Sequence, residues 1–256
     1  MIRASAIACT MALVGCDSAS NAPEPKQIAA DDVQSGYVFL TSHTQELQDD
    51  PFENPGYLWV DRGEQLFSAA DNPAAPACAS CHSDGLSGVA ARYPAVDLES
   101  GELLNLEGRI NQCRTKHQGL AAYPYESDAL LSLTAYVAQK SQGIPTSVTL
   151  DDTNRPFYEP GLTRRGQFIL SCQLCHTESW GKQLRGDTIS QGHGNGFPAY
   201  RLEWQTLGSL HRRLRDCDTG VRAEPLPYGD DTYIALELYL AARAKGLPVE
   251  TPAVRR

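Results

Sequence analysis

The sequence predicts a mostly α-helical fold in two similar halves, and three observations support that prediction. Apolar residues recur at helical spacing at Leu236, Tyr239 and Leu240, and Gly246 and Pro248 then supply the expected helix stop. No long alternating apolar run argues for a large sheet, and Pro, Gly, Asp and Asn are frequent between the helical segments. The third observation is an internal repeat.

The repeat is visible at both ends of each half. Arg62-Gly63-Glu64-Gln65-Leu66-Phe67 resembles Arg165-Gly166-Gln167-Phe168, and a helical run before Gly143-Ile144-Pro145 resembles the one before Gly246-Leu247-Pro248. Between these markers each half holds one Cys-x-x-Cys-His motif and, further on, one more cysteine. Because a duplicated unit explains this shared order, we expect two tandem domains, at residues 36–150 and 151–256.

The two motifs, Cys78-Ala79-Ser80-Cys81-His82 and Cys172-Gln173-Leu174-Cys175-His176, are typical of c-type haem attachment. In such a site two thiols bond covalently to the porphyrin, and the adjacent histidine is the proximal iron ligand. A redox disulfide, half of a zinc site and coincidence are the alternative interpretations. The pair predicts two covalently bound haem c groups in two cytochrome c-like domains, with His82 and His176 as iron ligands.

The ligand on the other side of each iron is not methionine, the usual partner of histidine in electron carriers. The chain has two methionines, Met1 and Met11, and both lie in the leader. Each haem motif has one cysteine downstream, so we expect Cys113 to serve the first haem and Cys217 the second. A disulfide between these two cysteines is the alternative. The other candidate ligands are the remaining histidines, His43, His117, His193 and His211.

The first 35 residues differ in kind from the rest. Arg3 precedes an apolar run that is too short for a permanent membrane helix but suits an export signal. Leu13-Val14-Gly15-Cys16 resembles a bacterial lipobox, so we predict a signal peptide over residues 1–16 with a lipidated Cys16. The alternative is an ordinary signal cleaved between Ser18 and Ala22. Residues 17–35 then form a flexible tether, and the predicted location is the bacterial periplasm.

The surroundings of Cys217 favour binding of an anion. The chain carries a net charge of -9, yet arginines concentrate around this cysteine: Arg201, Arg212, Arg213, Arg215 and Arg222. Arg213 lies one helical turn before Cys217, on the same face. Guanidinium groups bind oxyanions through two parallel hydrogen bonds. The alternative is a solvated basic face of the helix.

A family-specific pattern lies between the second haem motif and Cys217. It begins with Gly192-His193-Gly194-Asn195-Gly196-Phe197-Pro198-Ala199-Tyr200-Arg201 and continues through Trp204 and Leu207-Gly208-Ser209-Leu210 to Arg213 and Cys217. This pattern closely resembles the sulfur-oxidation cytochrome SoxA. The resemblance extends from about residue 36 to residue 248, with both haem motifs and both extra cysteines in the family order. Some SoxA proteins lack the first haem motif. This chain has it, so it resembles the dihaem type.

The resemblance implies an L-cysteine S-thiosulfotransferase that works with a monohaem partner, SoxX. In that family the complex oxidatively joins thiosulfate to a cysteine of the SoxY carrier, within SoxYZ, and two electrons leave through haem to a downstream cytochrome c. It implies that Cys217 is the persulfide-carrying catalytic cysteine and also an iron ligand, and that Arg213 binds the substrate. By the same matching, the first haem takes Cys78, Cys81, His82 and Cys113, and the second takes Cys172, Cys175, His176 and Cys217. No nucleic acid is expected among the partners.

Two other classes of function stay open on the sequence. A dihaem electron carrier without substrate chemistry explains the motifs and the export signal, but not the arginines near Cys217. A haem-based redox or gas sensor, whose thiolate ligand leaves when another ligand arrives, is the third class. His193 and His211 are interpreted as structural or surface groups, and Gly192, Gly194 and Gly196 lack the context of a nucleotide-binding loop.

Overall fold

The computed structural model of the protein describes residues 28–83, 85–158 and 171–256. The predicted signal peptide, Cys16 and residues 17–27 of the predicted tether lie outside the described residues, and so does the repeat segment Arg165-Gly166-Gln167-Phe168. Within the described ranges, every helix is too short or too polar to cross a membrane.

The described chain is mostly helical, as predicted. Its helices are α1 (Ser42–Asp49), α2 (Tyr57–Ser68), α3 (Cys78–Cys81), α4 (Leu106–His117), α5 (Asp128–Gln139), α6 (Arg155–Tyr158), α7 (Cys172–His176), α8 (Leu210–Gly220) and α9 (Asp231–Arg243). Its strands are β1 (Ala95–Val96), β2 (Leu103–Leu104), β3 (Gln183–Leu184), β4 (Asp187–Thr188), β5 (Ala199–Arg201), β6 (Thr206–Gly208) and β7 (Ala253–Arg255). Strand β5 lies between β6, which is antiparallel to it, and β7, which is parallel.

The first half is built on the contact between α2 and α5. A Cβ at Gly63 would lie 2.0 Å from the carbonyl oxygen of Ser132 and 2.7 Å from Cβ of Tyr136, so only glycine allows this approach. The contact places the ring of Phe67 5.2 Å from that of Tyr136 and 6.4 Å from that of His82. The glycine of the repeated Arg-Gly pair is therefore a packing residue beside the first haem motif.

The second half is organised by α8 and α9. Leu214 of α8 packs against the buried face of α9, which carries Tyr233, Leu236 and Leu240. The Tyr233 hydroxyl donates to Asp218 Oδ2 over 2.6 Å and accepts from the Leu226 N–H over 3.1 Å. A buried hydroxyl bonded to a carboxylate is a strong link, so this contact fixes the end of α8 on which Cys217 lies.

The two segments that follow the repeated helices pair with each other. Gly143 N–H donates to Val249 O over 2.8 Å, and Val249 N–H donates to Ile144 O over 3.0 Å. Thr146 exchanges bonds with the other segment in the same way, through Leu247 O at 2.7 Å and Gly246 N–H at 2.8 Å. The Gly-x-Pro segments thus stop each helix and join the halves through their backbones.

The chain near residue 35 differs from the flexible tether predicted there. Gln191 is fully buried, and its side-chain amide donates to Asp32 O over 2.7 Å and accepts from Gln34 N–H over 2.8 Å. Ser35 bonds to Glu250. The amide and the carboxylate of the second half would lose partners if this segment moved away, so the chain is attached from Asp32 onward.

Candidate functional site

Helix α8 is held at its first turn by residues of both halves. Ser209 caps the helix, because its Oγ accepts from the Arg212 N–H over 3.2 Å. The Ser209 N–H in turn donates to Glu126 Oε1 of the first half over 3.1 Å. Glu126 Oε2 also lies 3.8 Å from Arg212 Nη1. Cys217 therefore stands on a helix whose start is fixed by a cap and whose end is fixed by Tyr233.

The thiol of Cys217 lies between opposing influences. Burial raises its pKa, and the positive charges of Arg213 and Arg201 oppose that rise. In the polypeptide alone burial is the larger effect, so the arginines reduce the cost of the thiolate without removing it.

Arg213, the predicted substrate-binding residue, differs from the neighbouring arginines because its guanidinium has no partner in the described ranges. Within the described parts of the chain, its guanidinium makes no hydrogen bond and no ion pair, although it is only half-exposed. The neighbouring arginines are engaged: Arg212 faces Glu126, and Arg215 bonds to the Leu226 carbonyl and lies over the Tyr228 ring. The guanidinium of Arg213 is therefore available to an anion beside Cys217.

The second haem motif forms α7, and its histidine is oriented by a later segment. His176 Nδ1 lies 2.7 Å from Ser190 O, so Nδ1 carries the proton and Nε2 is left as a ligand atom. Burial lowers the pKa of His176, which favours the neutral ring that metal ligation requires. Gly192 lies directly behind the ring: with φ of 77°, a Cβ there would be 2.8 Å from His176 Cγ.

Sequence reasoning missed Ser190 and Gly192 as parts of this site. A backbone carbonyl leaves no trace in the residue type, so no signal pointed to Ser190. Gly192 was visible within the run of three glycines, which contributed to the SoxA resemblance and was excluded as a nucleotide loop, but the sequence assigned Gly192 itself no role. Its position next to a haem motif was the signal that could have identified it.

The first haem motif forms α3, with His82 just after its end. Cys78 Sγ accepts a bond of 3.5 Å from Gln118 Nε2, at the end of α4. Cys113 of α4 lies close enough to Cys78 and Cys81 for their charges to raise its pKa, although burial is the main cause of the rise. The fold thus brings Cys113 to the first motif, and it brings Cys217 to Cys172 of the second motif in the same way.

The other four candidate histidines are not placed as iron ligands in the described structure. His43 and His117 are exposed on α1 and α4. His193 is buried, with Nε2 3.2 Å from Gln191 Oε1, and burial lowers its pKa to about 4. His211 is fully buried, accepts at Nδ1 from Gly229 N–H over 3.0 Å and has Nε2 3.0 Å from Glu237 Oε1. These partners give the last two histidines structural roles.

The cysteines are chemically compatible with covalent haem. All six in the described ranges are free thiols, so Cys113 and Cys217 are not joined as the alternative interpretation required. Polar atoms that a haem or an anion could satisfy remain buried without partners nearby, among them His193 Nδ1, Gln118 Oε1 and Arg201 Nε. Each motif thus has two thiols that could attach the porphyrin, and one imidazole and one further cysteine that suit haem iron as ligands.

Comparison with known proteins gives one consistent result. The family model for the SoxA/TsdA cytochrome c domain matches residues 62–146, and a domain of that kind carries covalently bound haem c. The L-cysteine S-thiosulfotransferase subunit SoxA of Pseudaminobacter salicylatoxidans is 37% identical, over 93% of this chain and 86% of that relative. The SoxA subunit of Paracoccus pantotrophus is 36% identical, over 88% of this chain and 80% of its own length. The crystal structure of SoxXA from P. pantotrophus superimposes with a TM-score of 0.83, at 36% identity over 88% of this chain and 87% of that one. The chain belongs to the SoxA family.

Proposed function

We propose that this protein is an L-cysteine S-thiosulfotransferase subunit that couples thiosulfate to a cysteine of the SoxY carrier, with Cys217 as the reacting residue. The single observation that supports this most is the environment of the Cys217 thiol. It is half-buried near two guanidinium groups, and one of them, on Arg213, has no carboxylate partner in the described chain. A thiol next to an uncompensated cation attracts a small sulfur anion.

The residues that would hold haem follow from the site. The first haem would be bonded by Cys78 and Cys81 with His82 and Cys113 on the iron, and the second by Cys172 and Cys175 with His176 and Cys217. The spatial pairing of each extra cysteine with one motif supports this assignment, as does the orientation of His176 by Ser190. When bound, the second haem supplies an electron acceptor next to Cys217.

The chemistry requires an oxidation, because a thiolate and the sulfane sulfur of thiosulfate are both reduced. Joining them forms one S–S bond and releases two electrons. Arg213 would bind the sulfonate oxygens and offset the two negative charges of thiosulfate, which otherwise repel a thiolate. The outer sulfur of a Cys217 persulfide would form the new S–S bond with the sulfane sulfur. The SoxY cysteine thiolate would then attack that sulfane sulfur, which leaves the thiosulfonate on the carrier and the persulfide on Cys217.

The proposal also includes an internal duplication into two domains. Two cytochrome c-like domains, at 36–150 and 151–256, would each hold one haem. The mutual pairing of the two Gly-x-Pro segments supports an origin from one repeated unit. SoxX is the proposed partner, by analogy with the SoxXA complex of P. pantotrophus, and SoxYZ is the proposed carrier. Thioether haem attachment and the predicted leader support a periplasmic location, with Cys16 as a lipid anchor.

The test is thiosulfate-dependent modification of SoxY by the purified holoprotein, followed by mass spectrometry of the carrier with and without SoxX. We expect the mass of a thiosulfonate on the carrier cysteine, and an additional sulfur atom on Cys217 of the enzyme. Two attached haems without any carrier modification would instead identify a plain dihaem electron carrier. A ligand-dependent loss of the thiolate spectrum without turnover would identify a sensor.

A further inference from the structure

Arg201 is a buried arginine that the chain does not fully satisfy. It ends β5, is 5% exposed, and donates from Nη2 to Glu203 Oε2 over 2.8 Å. Its Nε has no hydrogen-bond partner. A buried N–H without an acceptor is costly, and a native structure retains one where a ligand completes it.

Arg201 is held in position by Trp204, which is itself bonded to α8, the helix that carries Cys217. Its guanidinium lies 4.9 Å from the ring centre of Trp204, and Arg212 lies 4.4 Å from the same ring. Trp204 Nε1 donates to Asp216 Oδ2 over 3.0 Å, and Asp216 directly precedes Cys217. Gly208 makes room for the indole, because a Cβ there would be 2.4 Å from Trp204 Cζ3. The indole therefore links Arg201 to the catalytic turn of α8.

The guanidinium groups of Arg201 and Arg213 are not fully paired in the described part of the chain. Arg201 and Arg213 lie close enough to repel each other and to act together on the Cys217 thiol. Arg201 is paired with the exposed carboxylate of Glu203 through Nη2 and also lies within reach of the Asp216 charge, but Arg213 forms no ion pair in the described ranges. The free Nε–H of Arg201 and the unpaired guanidinium of Arg213 leave a site for an anion beside the thiol.

We propose that Arg201 binds an oxyanion beside Cys217 through its Nε–H, together with Arg213. This inference rests on the proposed function. Two oxyanions with the required chemistry can reach such a position: the sulfonate of thiosulfate and a propionate of the second haem. Both accept paired hydrogen bonds from guanidinium.

The experiment compares Arg201→Lys and Arg201→Gln with Arg212→Lys in the holoprotein bound to SoxX. Lysine keeps the charge and the contact with Trp204 but lacks the Nε–H fork, and glutamine removes the charge. Arg212 lies over the same indole but already faces Glu126, so Arg212→Lys is the matched control. Haem content and circular dichroism verify folding, and the lysine variant decides the question if the glutamine variant does not fold.

Two measurements distinguish the sources. Equilibrium dialysis gives the Kd of labelled thiosulfate without the carrier, and potentiometric titration gives the potential of the second haem without thiosulfate. If the sulfonate is the ligand, Arg201→Lys weakens thiosulfate binding about 10-fold and leaves the potential unchanged. If the propionate is the ligand, the potential and the absorption spectrum shift, while the Kd is unchanged.

The inference is overturned if neither quantity changes, or if Arg212→Lys causes the same loss as Arg201→Lys. Failure of the proposed function gives a different pattern. In that case the wild-type protein neither binds thiosulfate nor modifies the carrier, and the potential of the second haem still reports whether Arg201 holds a propionate.

Discussion

Arg109 donates from Nη2 to Asp97 Oδ1 over 2.9 Å, and this ion pair occupies the one arginine of the first half that corresponds to Arg213. Its Nε donates to the Tyr93 hydroxyl over 3.0 Å. Arg109 precedes Cys113 by the same four residues that separate Arg213 from Cys217. The spacing is therefore equal in the two halves, but the guanidinium is neutralised in the first half and unpaired, within the described residues, in the second. This difference supports catalysis at Cys217.

The first prediction compares the two cysteines. Cys217→Ala should abolish thiosulfate-dependent modification of the carrier, because it removes the proposed reacting sulfur, while haem remains attached through Cys172 and Cys175. Cys113→Ala should change the spectrum of the first haem and retain measurable activity. Carrier mass spectrometry and haem-stained gels check both. An inactive Cys113→Ala protein beside an active Cys217→Ala protein would move the catalytic site to the first half.

The second prediction concerns the fork of Arg213. Arg213→Lys keeps the charge but loses bidentate contact, so kcat/KM for thiosulfate should fall by the equivalent of about 1–3 kcal/mol. Arg109→Lys is the matched control and should change kcat/KM by less than about twofold, since Arg109 is bound to Asp97. Equal losses in the two variants would remove the special role of Arg213.

A third prediction concerns iron ligation. Both methionines lie in the predicted leader, and His43 and His117 are exposed, so each ferric haem should be low-spin with one histidine and one thiolate. Electron paramagnetic resonance of the oxidised holoprotein, repeated on Cys113→Ala and Cys217→Ala, should assign one thiolate signal to each haem. Bis-histidine signals at both irons would exclude the two cysteines as ligands.

The packing of the first half gives a fourth prediction. Gly63→Ala should destabilise the holoprotein by about 1–3 kcal/mol, because the new methyl group meets the Ser132 carbonyl at 2.0 Å and forces α2 away from α5. Gly220→Ala is the control: its Cβ would meet nothing within 4 Å, so we expect a change within about 0.5 kcal/mol. Urea unfolding followed by circular dichroism measures both.

A fifth prediction concerns pH. Burial, together with the nearby charge of Glu237, raises the pKa of Glu107 from 4.5 to about 8, while His211 opposes the rise. Glu107 thus keeps its proton in the folded state when the unfolded chain has lost it. Its contribution to stability is fully present below pH 4.5 and is lost as the pH rises towards 8. Glu107→Gln should therefore reduce the decline in unfolding free energy over this range, measured by urea unfolding at several pH values. An unchanged pH profile would show that Glu107 is ionised in the folded protein.

The sequence alone determined the parts of this protein that depend on local chemistry. Thioether attachment needs two cysteines and a histidine in a fixed local order, so residues 78–82 and 172–176 can be recognised as haem attachment motifs from the sequence alone. Helical periodicity and Gly-Pro stops likewise depend on neighbours along the chain, and the resulting helical prediction is confirmed. Because both methionines lie in the predicted leader, composition argues against methionine as an iron ligand.

Only the tertiary structure decided which charges remain available. Asp97, which directly follows β1, reaches Arg109 of α4, and Arg201 reaches the turn of Cys217 through Trp204. No rule of sequence spacing specifies these contacts. The paired Gly-x-Pro segments and the buried group of Glu107, His211 and Glu237 also join residues of different halves. The local sequence determines which helix a residue lies on, but whether a charge is neutralised or buried depends on residues that folding brings together. Those contacts are the basis for the proposal that Cys217, and not Cys113, is the reacting cysteine.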